Sequence, residues 1–203
     1  MPRFARCVFA VFLAVSCLSS SLTCQAAAPE TAAAAFILME AGSGRVLSSR
    51  NETQERSIAS TTKIMTCLIA LEHSELTEKV TVKREHLREG SSMYLLEGET
   101  LTMEELLYGL MLPSGNDAAV AIAGECGGMT AFVGKMNAKA AELGLTDTHF
   151  DNPNGLPSDT HYTTAHELAK ITAAALKDPV FRQIVSTKSC TVSGHALSNH
   201  NRL

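Results

Sequence analysis

Ser60-Thr61-Thr62-Lys63 sets a hydroxyl and an amine at a spacing that suits acyl transfer. Residues three apart on a helix are neighbours, so the Ser60 hydroxyl can meet the Lys63 amine. A serine hydroxyl is a poor nucleophile until a base takes its proton. Lysine can be that base when burial or a nearby cation lowers its pKa. A helix start helps twice, because its dipole disfavours a cation and its free N–H groups stabilise an oxyanion. Alone the pattern is weak: Ser-x-x-Lys arises by chance about once in a chain of this length, and a helix-capping Ser followed by a surface Lys also produces it. The apolar run from Ile64 to Leu71 strengthens it, since it drives this helix into a core.

A second candidate group, Ser114-Gly115-Asn116, follows Pro113 on a short loop between two apolar helical stretches. Ser114 could relay a proton between Lys63 and a leaving group. Asn116 offers both a donor and an acceptor to a substrate amide. Read locally, the same residues make an ordinary turn in which each serves the backbone.

The elements that must position these groups follow from pattern. Ala34 to Glu40, the turn cluster Ala41-Gly42-Ser43-Gly44 and Arg45 to Ser49 predict a β-hairpin. From Ile58 the apolar spacing turns helical. Glu78 to Lys83 alternates as a short strand, and Gly90 to Met93 reads as a loop. Leu101 to Met111 predicts a second helix, with Thr102 and Glu105 as a capping box and Pro113 as its stop. A third helix begins at Asp117. A fourth is capped by Thr130 and ended by Gly144. Thr164 and Glu167 form another capping box for a helix to about Leu176, and Ser189 to Ser193 predicts a strand. A hairpin first, helices in the middle and a returning strand describe an α+β fold, with distant strands meeting in one antiparallel sheet under a helical cluster.

Composition sets the outer limits. The chain has 203 residues, 45% of them hydrophobic but only 5% aromatic, so its core is built from Ala, Leu, Val, Ile and Met. A formal charge of −4 argues against nucleic acid as the main partner. Residues 1–27 read as a secretory signal: Arg3 and Arg6, an apolar run from Cys7 to Leu18, then the small residues Ala26-Ala27-Ala28. Residues 28–203 are then one folded domain. The cysteines outside the leader, Cys67, Cys126 and Cys190, are odd in number and widely spaced, which is not a disulfide framework. No His or Cys spacing suits a metal, and no cofactor motif is present.

The order Ser-x-x-Lys, then Ser-x-Asn, is that of the penicillin-binding proteins and serine β-lactamases. With Gly90-Ser-Ser-Met-Tyr-Leu, the run from Leu107 to Ala119, Phe150-Asp-Asn-Pro-Asn-Gly-Leu and His161-Tyr-Thr-Thr-Ala, the chain resembles the serine D-alanyl-D-alanine carboxypeptidases, the low-molecular-mass penicillin-binding proteins. The resemblance runs from Ala34 to the end. It implies a DD-peptidase fold without cofactor or metal. It also implies an exported enzyme, at the periplasmic or extracellular face of the bacterial cytoplasmic membrane. The implied substrate is the peptidoglycan stem peptide ending in D-Ala-D-Ala, and β-lactams are implied covalent inhibitors. Ser60 matches the family's nucleophile, Lys63 its proton acceptor, Ser114 its second active-site serine and Asn116 its substrate-positioning residue.

One departure stands against this. The family's third motif, Lys-Thr-Gly or Lys-Ser-Gly, is absent, since Thr187-Lys188-Ser189-Cys190 lacks the glycine. Asn199 to Leu203 resembles the stretch that normally precedes it. The expectation is a chain that stops short of that motif and of the family's membrane-anchoring tail. A catalytically incompetent fragment or wall-binding module of the same fold therefore stays open. A β-lactamase is the weaker alternative, because the Glu-Leu-Asn pattern of a deacylation loop is missing.

Overall fold

The computed structural model describes residues 31–201. The secretory signal expected over 1–27 lies outside them. The described residues from Ala32 onward form one compact unit.

The predicted hairpin is present. β1 (Phe36–Met39) pairs antiparallel with β2 (Val46–Arg50), with Phe36 opposite Arg50 and Leu38 opposite Ser48. Its turn is closed by the Glu40 carboxylate, which accepts from the N–H groups of Gly42 and Ser43 at 2.9 and 2.6 Å. β3 (Arg56–Ser57) pairs with β6 (Tyr162–Thr163), and β4 (Lys79–Thr81) with β5 (Thr100–Thr102). β7 (Ser189–Val192) and β8 (His195–Ser198) form a closing hairpin. The single sheet expected from sequence is not what forms among the described residues: the strands make four separate two-stranded ladders. β7 turns back at Ser193-Gly194, both at positive φ, and pairs with its own continuation, β8.

Among the described residues there are six α-helices: α1 (Lys63–His73), α2 (Met103–Met111), α3 (Asn116–Glu125), α4 (Met129–Glu142), α5 (Ala165–Ala175) and α6 (Pro179–Ser186). α1 packs on α2, α3, α4 and α5, and α3 is buried continuously from Asn116 to Ala123. Small residues make this possible, because the alanines of α3 let neighbouring helices approach all round it. Among the described residues no helix is long and apolar enough to cross a membrane.

Two boundaries and one cap differ from expectation. Leu101 belongs to β5, and the helix starts only at Met103, although the Thr102–Glu105 capping box is present. α4 starts at Met129 behind Gly128 and not at a Thr130 cap, because Gly127 and Gly128 at φ +106° and +88° turn the chain into the helix. The Thr164 hydroxyl caps Glu167 N–H at 3.1 Å, but the Glu167 carboxylate does not complete the box. It accepts instead from Thr146 N–H, Asp147 N–H and the Thr148 hydroxyl, tying α5 to the preceding loop. α6 was not anticipated. Its signal was Asp178-Pro179, an N-cap side chain followed by proline at the first helical position.

Candidate active site

Ser60 lies in a single 3₁₀ turn, Ala59–Thr62, that leads into α1, and Lys63 is the first residue of α1 itself. Ala59 before the serine has φ +49°, a strained conformation for a residue with a Cβ. The turn leaves Ser60 exposed while Lys63 is 2% exposed.

The Lys63 amine has three partners. Nζ lies 3.3 Å from Ser60 Oγ, 2.9 Å from Asn116 Oδ1 and 2.8 Å from the Asn154 carbonyl oxygen. The Asn116 amide is oriented by its own Nδ2, which donates to the Glu89 carbonyl at 2.9 Å. Two of the three partners therefore only accept, and they use two N–H bonds of a neutral amine. In the protonated amine the third N–H donates to Ser60 Oγ, and in the neutral amine the lone pair faces that hydroxyl, the one partner able to donate. Burial is the main reason the Lys63 pKa drops from 10.5 to about 8, against the opposing pull of the Asp117 charge. The position of Lys63 at the start of α1 acts in the same direction. A buried amine with a lowered pKa, whose neutral form turns its lone pair on a hydroxyl, can act chemically as a general base.

Asn116 is held by the 89–91 loop. Its N–H donates to the Ser91 carbonyl at 2.7 Å, and a Cβ on Gly90 would stand 2.8 Å from Asn116 Nδ2. Asp117, 1% exposed, holds the next part of the same loop: its carboxylate accepts from Ser92 Oγ, Met93 N–H and Leu95 N–H. Ser114 is half-buried on the α2–α3 turn at φ +62°. The structure thus brings Ser60, Lys63 and Asn116 together. Ser114 is on the same turn as Asn116 but makes no hydrogen bond to any of the three among the described residues. No group of three His, Cys, Asp or Glu side chains among the described residues is arranged for a metal. Cys67, Cys126 and Cys190 are free thiols.

The 150–155 loop was quoted in the sequence only as a motif. Its role is structural contact with the lysine: Asn154 supplies the carbonyl, Thr66 Oγ1 donates to the Pro153 carbonyl at 2.6 Å, and Gly155 lies against the backbone of Ala59. A Cβ on Gly155 would overlap the Ala59 carbonyl, and its φ is +82°. The Gly155→Ala chain is expected to lose about 3 kcal/mol or more of stability, from overlap and left-handed strain together. Urea unfolding measures this, and a midpoint equal to the parent would show that the two backbones are not in contact.

A helical cluster with small antiparallel ladders, carrying a serine and a buried lysine beside an asparagine, defines the DD-peptidase class of serine acyl-transferases. A profile of the peptidase S11 family, D-alanyl-D-alanine carboxypeptidase, matches residues 22–203, and the chain belongs to this family. It is 37% identical over 193 residues to the D-alanyl-D-alanine carboxypeptidase of Streptomyces sp. strain K15, covering 88% of this chain and 66% of that protein. It is 39% identical over 164 residues to D-alanyl-D-alanine carboxypeptidase DacB2 of Mycobacterium tuberculosis, covering 79% and 56%. Among solved structures, the S216A mutant of the Streptomyces K15 DD-transpeptidase superposes with a TM-score of 0.82 at 37% identity, over 86% of this chain and 76% of that one. The D-alanyl-D-alanine carboxypeptidase of M. tuberculosis H37Rv gives 0.83 at 35% identity, over 88% and 70%. The chain spans about half to two thirds of the length of these curated relatives.

Proposed function

We propose that this chain carries the acylation machinery of a serine-type D-Ala-D-Ala carboxypeptidase of the bacterial cell wall. Ser60 attacks the carbonyl of the penultimate D-alanine in a peptidoglycan stem peptide. Lys63 accepts the Ser60 proton. Terminal D-alanine leaves as the peptide C–N bond breaks, taking a proton that Ser114 relays. Water then cleaves the ester and restores the Ser60 hydroxyl. Asn116 holds both the lysine and the substrate amide. β-Lactams acylate the same serine through their strained amide. Residues 1–27 direct export, and residues 28–203 belong to the catalytic domain, which works outside the cytoplasmic membrane.

The observation that carries this reading is the Lys63 cage: a nearly fully buried amine 3.3 Å from an exposed serine hydroxyl, with its other two partners acceptors. The test is penicillin labelling followed by peptide mapping. A penicilloyl group on the peptide containing Ser60 is expected, and no adduct would end the proposal. Release of D-alanine from a D-Ala-D-Ala peptide by the same chain separates a turning-over enzyme from a module that binds wall peptide only.

The labelling rate carries a pH signature. Only neutral Lys63 can take the proton, so the rate is expected to rise about tenfold per pH unit below the Lys63 midpoint and to level above about 8. Stopped-flow acylation across pH measures this. Levelling near 10.5, the ordinary lysine value, would mean that the base is not buried as described.

A further inference from the structure

The Asn154 carbonyl reaches Lys63 from a loop ninety residues away in the chain, so something must hold that loop in register with α1. Part of the grip is the Thr66 hydroxyl on Pro153. The other part is an imidazole. His161 is 2% exposed. Its Nδ1 accepts from Asp151 N–H at 2.9 Å, which places the ring proton on Nε2. Nε2–H then donates to Thr62 Oγ1, 2.7 Å away, on the residue just before Lys63. Phe150 packs against the ring edge-on, with centroids 5.8 Å apart. One neutral imidazole therefore bonds to both walls of the lysine cage, the turn before α1 and the start of the loop. The Thr148–Thr163 and His149–Tyr162 pairings anchor the loop's outer flank to β6.

We propose that His161 is a positioning residue for acylation, which holds the Asp151–Gly155 loop on α1 so that the Asn154 carbonyl stays on Lys63 and water stays off the amine. This rests on Lys63 being the base of Ser60, but its direct test does not. The imidazole works only when neutral, because a proton on Nδ1 removes the acceptor for Asp151 N–H. Burial lowers the His161 pKa, with Asp151 raising it and His149 lowering it further, so the neutral form is the resting one. The consequence for Lys63 follows from the main cause of its own shift. Burial is what brings its pKa down. Releasing the loop readmits water, and the Lys63 midpoint climbs back toward 10.5.

The experiment titrates the Lys63 amine by NMR in the whole chain with 15N-lysine, in the parent and in His161→Ala, His161→Asn and His161→Gln. Asn keeps an acceptor near the Nδ1 position and Gln a donor near Nε2, so each retains one of the two bonds if the alanine chain does not fold. The parent midpoint is expected near 8. His161→Ala is expected to move it up by about one unit or more, with Asn and Gln between. Penicillin acylation at pH 7 then falls about tenfold or more, while the rate at high pH changes less. Midpoints equal to the parent in the folded variants, with only the melting temperature lowered, would overturn the proposal and leave His161 a packing residue. If the parent is not labelled by penicillin, the function proposed above fails, and the NMR midpoints still decide the role of His161.

Discussion

The Lys63→Met chain is expected to fold and to be acylated by penicillin about 10³-fold more slowly than the parent, and the Ser60→Ala chain not to be acylated at all. The estimate for Lys63 follows from what a positioned base contributes, about 10²–10⁴-fold. Methionine is close to lysine in length and volume, so the packing around the first turn of α1 survives. Two effects on stability oppose each other. Asn116 Oδ1 and the Asn154 carbonyl lose their donor, which costs free energy. A buried amine that resists its charge is also removed, which returns some. The activity change is therefore much larger than the stability change. Ser60 is exposed, and among the described residues its hydroxyl bonds only with Lys63, so its replacement by alanine leaves the fold intact. Intact-mass spectrometry after timed penicillin exposure, beside thermal melting, reads both. A Lys63→Met chain acylated at the parental rate would exclude lysine as the base, and a persistent adduct on Ser60→Ala would exclude Ser60 as the nucleophile.

The second large effect is on stability. Asp117→Ala is expected to lower it by about 3–5 kcal/mol, since two buried backbone N–H groups, on Met93 and Leu95, lose a charged acceptor at about 1–3 kcal/mol each, and the Ser92 hydroxyl loses one too. Against a total of about 5–15 kcal/mol this is a large fraction. Asp117→Asn keeps one acceptor oxygen and is expected to lose roughly half as much. The functional effect is coupled. The segment that Asp117 holds continues into Glu89 and Ser91, whose carbonyls fix the Asn116 side chain and N–H. Loosening it frees the amide that holds Lys63. Urea unfolding of the two variants measures the order. An Asp117→Ala chain as stable as the parent would mean that the 92–95 loop does not depend on this carboxylate.

Much of this was legible in local pattern. The first hairpin announced itself by its turn residues and short apolar runs, and α2 by Thr102, Glu105 and Pro113. These features are local, in that each residue's effect falls within a turn of its own position. The chemical candidates were legible for the same reason. Ser60 and Lys63 are neighbours because of helical spacing, and Ser114 and Asn116 share one tight turn. Even the short helix α6 has a readable signal in Asp178-Pro179.

What sequence could not supply was which distant groups meet. The returning strand at Ser189 was visible, but its partner was not, and it pairs with its own continuation across Ser193-Gly194. Glu167 was read as a cap completing itself within one turn, and its carboxylate instead reaches the loop at Thr146 to Thr148. The serine and lysine show the division most clearly. Their spacing determined that they could touch. Whether that contact can do chemistry depends on the amine being dry and on its other two partners being acceptors. Those conditions come from Asn116, 53 residues on, and from the Asn154 carbonyl, 91 residues on, with His161 pinning the second to the turn before Lys63. Hydrogen-bond partners at such separations are set by how α1, α3 and the 150–155 loop pack. A backbone carbonyl leaves no mark on residue type, so only the tertiary structure decided that this lysine is buried beside the serine and is not a surface cation.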